Sequence, residues 1–173
     1  MQQCAACHGY QDKDEYVFQG ARLGQIEPVE YVGTDPHRLN SYTELMQKYQ
    51  TDFLFCRDPQ HRFRHFKKTN GYANMPLDAL WLRAPYLHNG SVPTLADLLE
   101  KPENRPKTFV RGLIQLDPTK GGFAAPTCVE GSQSAPLACF ATRKDGNSNE
   151  GHLYGTDLPP ADKQELLQYL LTF

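Results

Sequence analysis

The clearest periodic run in this chain of 173 residues is its last. In PPADKQELLQYLLTF, residues 159–173, apolar side chains recur at 166, 167, 170 and 171, the spacing of one helix face. Prolines stand near the first turn and acidic residues follow early, as helix starts favour. A second helix start is written in VPTLADLL, residues 92–99, with Thr94 as N-cap, Asp97 three places on, and Leu95, Leu98 and Leu99 facing inward. Residues 16–49 give short extended pieces, a turn at GTDP, and a helix from about Ser41 capped by Asn40 or Ser41. KTFVRGLIQLDP, residues 107–118, alternates in the β manner and predicts a hairpin arm. The pattern predicts a mainly α chain: a small helical core with long irregular insertions and one small β-hairpin.

Composition sharpens this. The length suits one domain over residues 1–173, and the 13 Gly and 13 Pro predict many turns and few long elements. Such a chain gains from a large apolar object at its centre. The net charge of -2, with 18 Lys and Arg against 20 Asp and Glu, argues against nucleic acid or an anionic membrane surface as partner. A local basic patch, RFRHFKK at 62–68, suits docking of a protein. No run is apolar enough to span a membrane. Only three residues precede Cys4, and export signals are removed in mature proteins, so the chain reads as a mature form or as a fragment of a larger exported protein.

Cys4, Cys7 and His8, in CAACH, form C-x-x-C-H, the attachment pattern of haem c. Two thiols reach the two porphyrin vinyl groups and the adjacent imidazole rises to the iron. Zinc needs a second matched pair of ligands, and Cys56, Cys128 and Cys139 lack that spacing. A thioredoxin-like pair belongs inside a strand-helix unit, not at residue 4. One motif predicts one covalent haem. Covalent haem implies assembly outside the cytoplasm, hence a periplasmic or secreted protein. A disulfide between Cys128 and Cys139 agrees with that, and would leave Cys56 as a small buried apolar residue.

The chemistry then turns on the second axial position of the iron. Candidates are Met75 and histidines 37, 61, 65, 88 and 152. His61 and His65 flank arginines and read as a solvated basic face, and His37 follows a turn. Met75, in NMP, resembles the methionine loops of small cytochromes but lies far upstream of the terminal helix. In c-type cytochromes the distal ligand lies on a loop running into that helix, and His152 precedes Pro159 by seven residues. Gly151 and Gly155 allow a tight path against the porphyrin. DGNSNEG, 145–151, imitates a calcium loop, but its glycine falls one place late and position 156 is Thr, so it reads as a turn-rich approach to His152. His152 is the expected ligand, with Met75 and His88 as alternatives.

LRAPYLHNGSVPTLADLL at 82–99, CAACH and GNSNEGHLYGTDL at 146–158 together resemble the dihaem cytochrome c peroxidase family in its broad sense, which includes the rubber oxygenases. The resemblance implies a cytochrome c-like core and is closest to the C-terminal haem domain of the oxygenase-like subgroup, with bis-histidine ligation through His8 and His152. Trp81, Tyr86 and Leu87 are expected around the porphyrin edge. Arg83, and His88 or Trp81 through ring nitrogens, are expected to hold the haem propionates. The chain departs from these enzymes in having a single C-x-x-C-H, so the half that performs oxygen or peroxide chemistry is missing. The expectation is a one-electron carrier, not an enzyme, docking weakly and transiently on a redox partner protein such as a copper or haem oxidoreductase. The rivals are a fragment of a dihaem peroxidase or oxygenase, a one-haem peroxidase, and a haem-based sensor module.

Overall fold

The computed structural model describes residues 2–11, 17–52, 58, 60, 67–134 and 137–173. Cys56, His61, His65 and most of the 62–68 patch lie outside the described residues. Six α-helices are described, α1 (Gln2–His8), α2 (Val29–Val32), α3 (His37–Ser41), α4 (Glu44–Asp52), α5 (Leu95–Leu98) and α6 (Pro160–Leu170), with one 3-10 helix at Leu80–Arg83. Among them lie nine short strands in four antiparallel sheets. The fold is 28% helical and 18% strand, which corrects the mainly α expectation. The strands hold two to five residues each, so their backbones pair while their side chains are too few to set up an alternating pattern.

Two of the expected elements are also redrawn. The run 107–118 is not one hairpin arm. Its first part, β5 (Thr108–Arg111), pairs with β9 (Leu137–Ala141), and its last residues form β6 (Leu116–Asp117), which pairs with β7 (Gly122–Phe123). The helix expected from Ser41 splits in two. α3 ends at Ser41, and α4 starts at Glu44 behind Thr43, whose hydroxyl accepts from the Met46 N–H at 3.2 Å. A threonine cap thus takes the role assigned to Asn40 or Ser41.

Tyr86, Val92, Leu95, Leu99, Leu167 and Leu170 form the apolar core, which joins α5 to α6. α5 begins as its sequence predicts: Thr94 is extended and its hydroxyl accepts from the Asp97 N–H at 3.1 Å. The three-stranded sheet β5–β9–β8, with β8 at Gln133–Ser134, is carried beside this core. A disulfide joins Cys128 to Cys139. β3 (Ile26–Pro28) pairs with β4 (Gly71–Ala73), setting Glu27 opposite Tyr72. No described helix is long and apolar enough to cross a membrane.

Candidate haem site

α1 presents both thiols and the imidazole within one helical turn, because Cys4, Cys7 and His8 are three and four residues apart. Gly9 closes the helix at φ +74°, donating its N–H to the Ala5 carbonyl at 3.0 Å. A Cβ on Gly9 would stand 2.7 Å from the Gln19 carbonyl oxygen, so only glycine lets β2 (Phe18–Gln19) approach this turn. His8 Nδ1 lies 2.7 Å from the Met75 carbonyl. A carbonyl only accepts, so Nδ1 carries the proton and Nε2 keeps its lone pair for a metal.

The opposite wall is the segment before α6. His152 sits at φ +49°, a left-handed conformation that side-chain-bearing residues rarely adopt. Three contacts hold it there. Its N–H donates to the Val32 carbonyl at 2.9 Å, and its own carbonyl accepts from Arg105 Nη2 at 3.3 Å. The third is Gly151, where a Cβ would lie 2.4 Å from the carbonyl carbon of Gly33, so the two chains meet backbone to backbone. Gly151 thus serves a backbone contact within the protein that the sequence does not announce.

Between these walls runs a slit lined by Cys4, Cys7, His8, Glu27, Val32, Tyr72, Ala73, Asn74, His152 and Tyr154. The rings of His8 and His152 face each other with centroids 6.3 Å apart and planes 48° apart. Two imidazoles bound end-on to one metal, at bonds of about 2 Å, place their centroids roughly 6 Å apart. Burial, then the neighbouring His8 ring and the Arg105 guanidinium, push the His152 imidazole down to about 4, so it is neutral at pH 7, as a ligand must be. Its Nδ1 is buried with no hydrogen-bond partner, as is the Tyr72 hydroxyl on the same slit. Tyr154 stands edge-on to the His152 ring at 5.2 Å. It also borders a second, open cleft of about 820 Å³, lined further by Tyr31, Leu153, Glu103 and Glu150.

The residues present fit a haem c: two thiols beside one imidazole, a second neutral imidazole across the slit, and a ring separation matching axial ligation of one metal. Among the described residues, no group of three or more His, Cys, Asp or Glu side chains is arranged to hold a bare metal ion.

The remaining expected site residues lie elsewhere. Met75 is 55% exposed and offers the slit its carbonyl instead of its sulfur. His37 is exposed and bonded to Asp35. Trp81, Tyr86 and Leu87 pack in the core cluster, and the Tyr86 hydroxyl donates to the Leu80 and Gly121 carbonyls. Arg83 is exposed, paired with Asp78 at 2.7 Å and with the Pro76 carbonyl. His88 approaches the slit only through Tyr72, on which its ring stacks at 4.4 Å.

Several wall residues carry no motif. Glu27 and Tyr72 arrive through the β3–β4 pairing, and Glu27 is fixed by Arg22 at 2.5 Å and by Asn74 Nδ2 at 2.9 Å. Their sequence separation of more than forty residues hides them; the extended pieces flanking GTDP are the only signal. Arg105, which does not line the slit but bonds the His152 carbonyl, carries no motif either. It is 1% exposed, yet its stretch, KPENRPK, reads as a solvated charge run.

Comparison with known proteins agrees with the central motif. Residues 71–110 match the family described as RoxA-like, cytochrome c-like. Two proteins of Sinorhizobium fredii (strain NBRC 101917 / NGR234) are similar: the uncharacterized protein y4iM, 47% identical over 85 residues, and the uncharacterized protein y4iJ, 40% identical over 110. These alignments take in 47% and 58% of this chain but 19% and 17% of those proteins, so the chain spans under a fifth of either relative. A cytochrome c-like domain supports a haem c electron-transfer role. Over residues 71–110 the chain resembles the RoxA-like, cytochrome c-like proteins, as its LRAPYLHNGSVPTLADLL run predicts.

Proposed function

We propose that this chain is a mono-haem, bis-histidine c-type electron-transfer unit of an exported protein. The observation that carries the reading is the facing pair His8 and His152, 6.3 Å apart across a slit that also holds Cys4 and Cys7. When bound, haem c supplies an iron that exchanges one electron. Cys4 and Cys7 would anchor it through thioethers. His8, its Nδ1 proton given to the Met75 carbonyl, and His152, kept neutral by its surroundings, would take the two axial positions. With both filled by protein, peroxide or oxygen has no place to bind. Two imidazoles lack the methionine sulfur that favours the reduced state, so the potential lies below that of a His/Met relative. The redox partner docks transiently, and the Cys128–Cys139 disulfide supports an oxidising compartment, periplasmic or extracellular.

The length of the relatives favours a second reading in which the same unit relays electrons within a longer dihaem enzyme. A further C-x-x-C-H in the polypeptide to which this chain belongs would establish that arrangement.

The test is an absorption spectrum of the haem-loaded chain, oxidised and reduced, with and without CO. The wild type is expected to be low-spin and unreactive to CO, without a methionine charge-transfer band. His152→Ala is expected to become high-spin and to bind CO. A wild type that already binds CO moves the case to an enzyme or a sensor; a spectrum unchanged in His152→Ala gives the ligand role to another residue.

A further inference from the structure

Among the described residues Arg105 is the largest side chain to be fully buried, and its hydrogen bonding is unusual. A guanidinium has five N–H donors, and here all are used. Nε donates to the Glu100 carbonyl at 2.8 Å. Nη1 donates to the carbonyls of Asn149 and Gly151, the latter at 3.0 Å. Nη2 donates to the carbonyls of Leu98 and His152, each at 3.3 Å. Every acceptor is backbone. Three belong to the four residues 149–152, and the other two to Leu98, the last residue of α5, and to Glu100, two residues beyond it.

A buried cation without a bonded carboxylate is costly to keep, and neutral residues of similar volume would fill the space as well. Its geometry offers what they do not. The planar fork holds three carbonyls of an irregular segment in fixed relative positions, and through Leu98 and Glu100 it references that segment to α5 and the apolar core. His152 needs such a hold, because φ +49° is a conformation its own side chain disfavours.

We propose that Arg105 is the positioning residue of the distal ligand: its guanidinium clamps the backbone of residues 149–152 so that the His152 ring is presented to His8 across the slit. This rests on the ligand reading above. The ring would reach the iron without waiting for the segment to order, and external ligands would be shut out because the ring has nowhere to retreat. Lysine keeps the charge but not the fork, so it reaches one or two of the five carbonyls.

The experiment compares the haem-loaded chain as wild type, Arg105→Lys, His152→Ala and, as a stability control away from the slit, Phe109→Ala. Each is reduced and titrated with CO, with far-UV circular dichroism and thermal unfolding on the same samples. The expected result is that Arg105→Lys keeps its secondary structure while the CO-binding fraction rises from none to most of the protein. Phe109→Ala, though destabilised, remains inert to CO. If Arg105→Lys is as inert to CO as the wild type, or if both destabilised variants bind CO equally, Arg105 is a core residue only and the proposal falls. If Arg105→Lys loses its fold together with its haem, the proposal also falls, because the role is then general stability. If His152→Ala stays low-spin and inert to CO, the ligand reading fails first and takes this assignment with it.

Discussion

Around β5 and β9 the chain closes on itself. Phe109 packs against Phe140 at 5.2 Å, the Arg111 guanidinium lies 4.7 Å over the Phe140 ring, four residue pairs run down the ladder, and a disulfide joins Cys139 to the strand's approach. Around the slit the chemistry is left open. His152 Nδ1 and the Tyr72 hydroxyl are buried without partners, a histidine holds a left-handed backbone, and two cysteines remain unpaired. Unpaired buried polar groups and strained backbone each cost free energy, and such features concentrate where a protein binds or reacts. The difference teaches that the arm is complete as polypeptide, whereas the slit walls are organised for something else to fill them.

The largest expected effect follows directly. A haem-free preparation, made as Cys4→Ser/Cys7→Ser, is expected to lose amide protection in α1, the β3–β4 pair and residues 150–156 by roughly a hundredfold, about 2.7 kcal/mol, as for loss of a tightly held ligand. Amides of β5 and β9 should keep their exchange rates. Hydrogen exchange read segment by segment measures this. Equal loss in both regions would show that the arm also depends on haem, and the contrast would collapse.

The arm has its own staple, so the complementary experiment strikes there. Replacing Cys128 and Cys139 by serine releases a cross-link with a sequence separation of 11 and is expected to lower stability by about 2–3 kcal/mol. The haem spectrum should not change. Denaturant titration followed at the haem band and by far-UV circular dichroism separates the two outcomes. A shift of the haem band would mean that the arm shapes the slit.

The same contrast explains what the sequence discloses. The residues that bring the slit's chemistry, Cys4, Cys7, His8 and His152, stand in motifs whose side chains act directly, and the structure brings all four into one cavity. α5 and α6 were legible because their leucines recur at helical spacing over a full turn or more. The β arm was half legible: KTFVRGLIQLDP alternates, but alternation does not name a partner strand, and β9 lies more than twenty residues away. Arg105 was not legible at all. Its five partners are carbonyl oxygens, which every residue has, so no neighbouring side chain marks the site. Aromatic and basic side chains suit a porphyrin, which is why the sequence suggests Trp81, Tyr86 and Arg83 for it; in the structure Trp81 and Tyr86 pack with the core and Arg83 pairs with Asp78.

The smallest expected effect tests the seam. α5 stands between the two regions: Leu98 gives a carbonyl to Arg105 behind the slit, while Thr94 bridges to Gly122 and Leu95 N–H donates to the Gly121 carbonyl at 2.8 Å, at the β6–β7 pair. The chain leaving that pair meets the arm where Val110 N–H donates to the Pro126 carbonyl at 2.9 Å. The Thr94 hydroxyl accepts from the Asp97 N–H at 3.1 Å and donates to the Asp97 carboxylate at 2.6 Å. Thr94→Ala removes both bonds and strands an orphan donor at the helix start, an expected loss of about 1 kcal/mol, whereas Thr94→Ser keeps the hydroxyl and should lose only a fraction of that. Because the guanidinium clamp acts at the other end of α5, the low-spin spectrum should survive both substitutions. Thermal unfolding gives the first quantity and the CO titration the second. A Thr94→Ala protein that binds CO would mean that a frayed helix start reaches the His152 segment, and that slit and arm share one seam through α5.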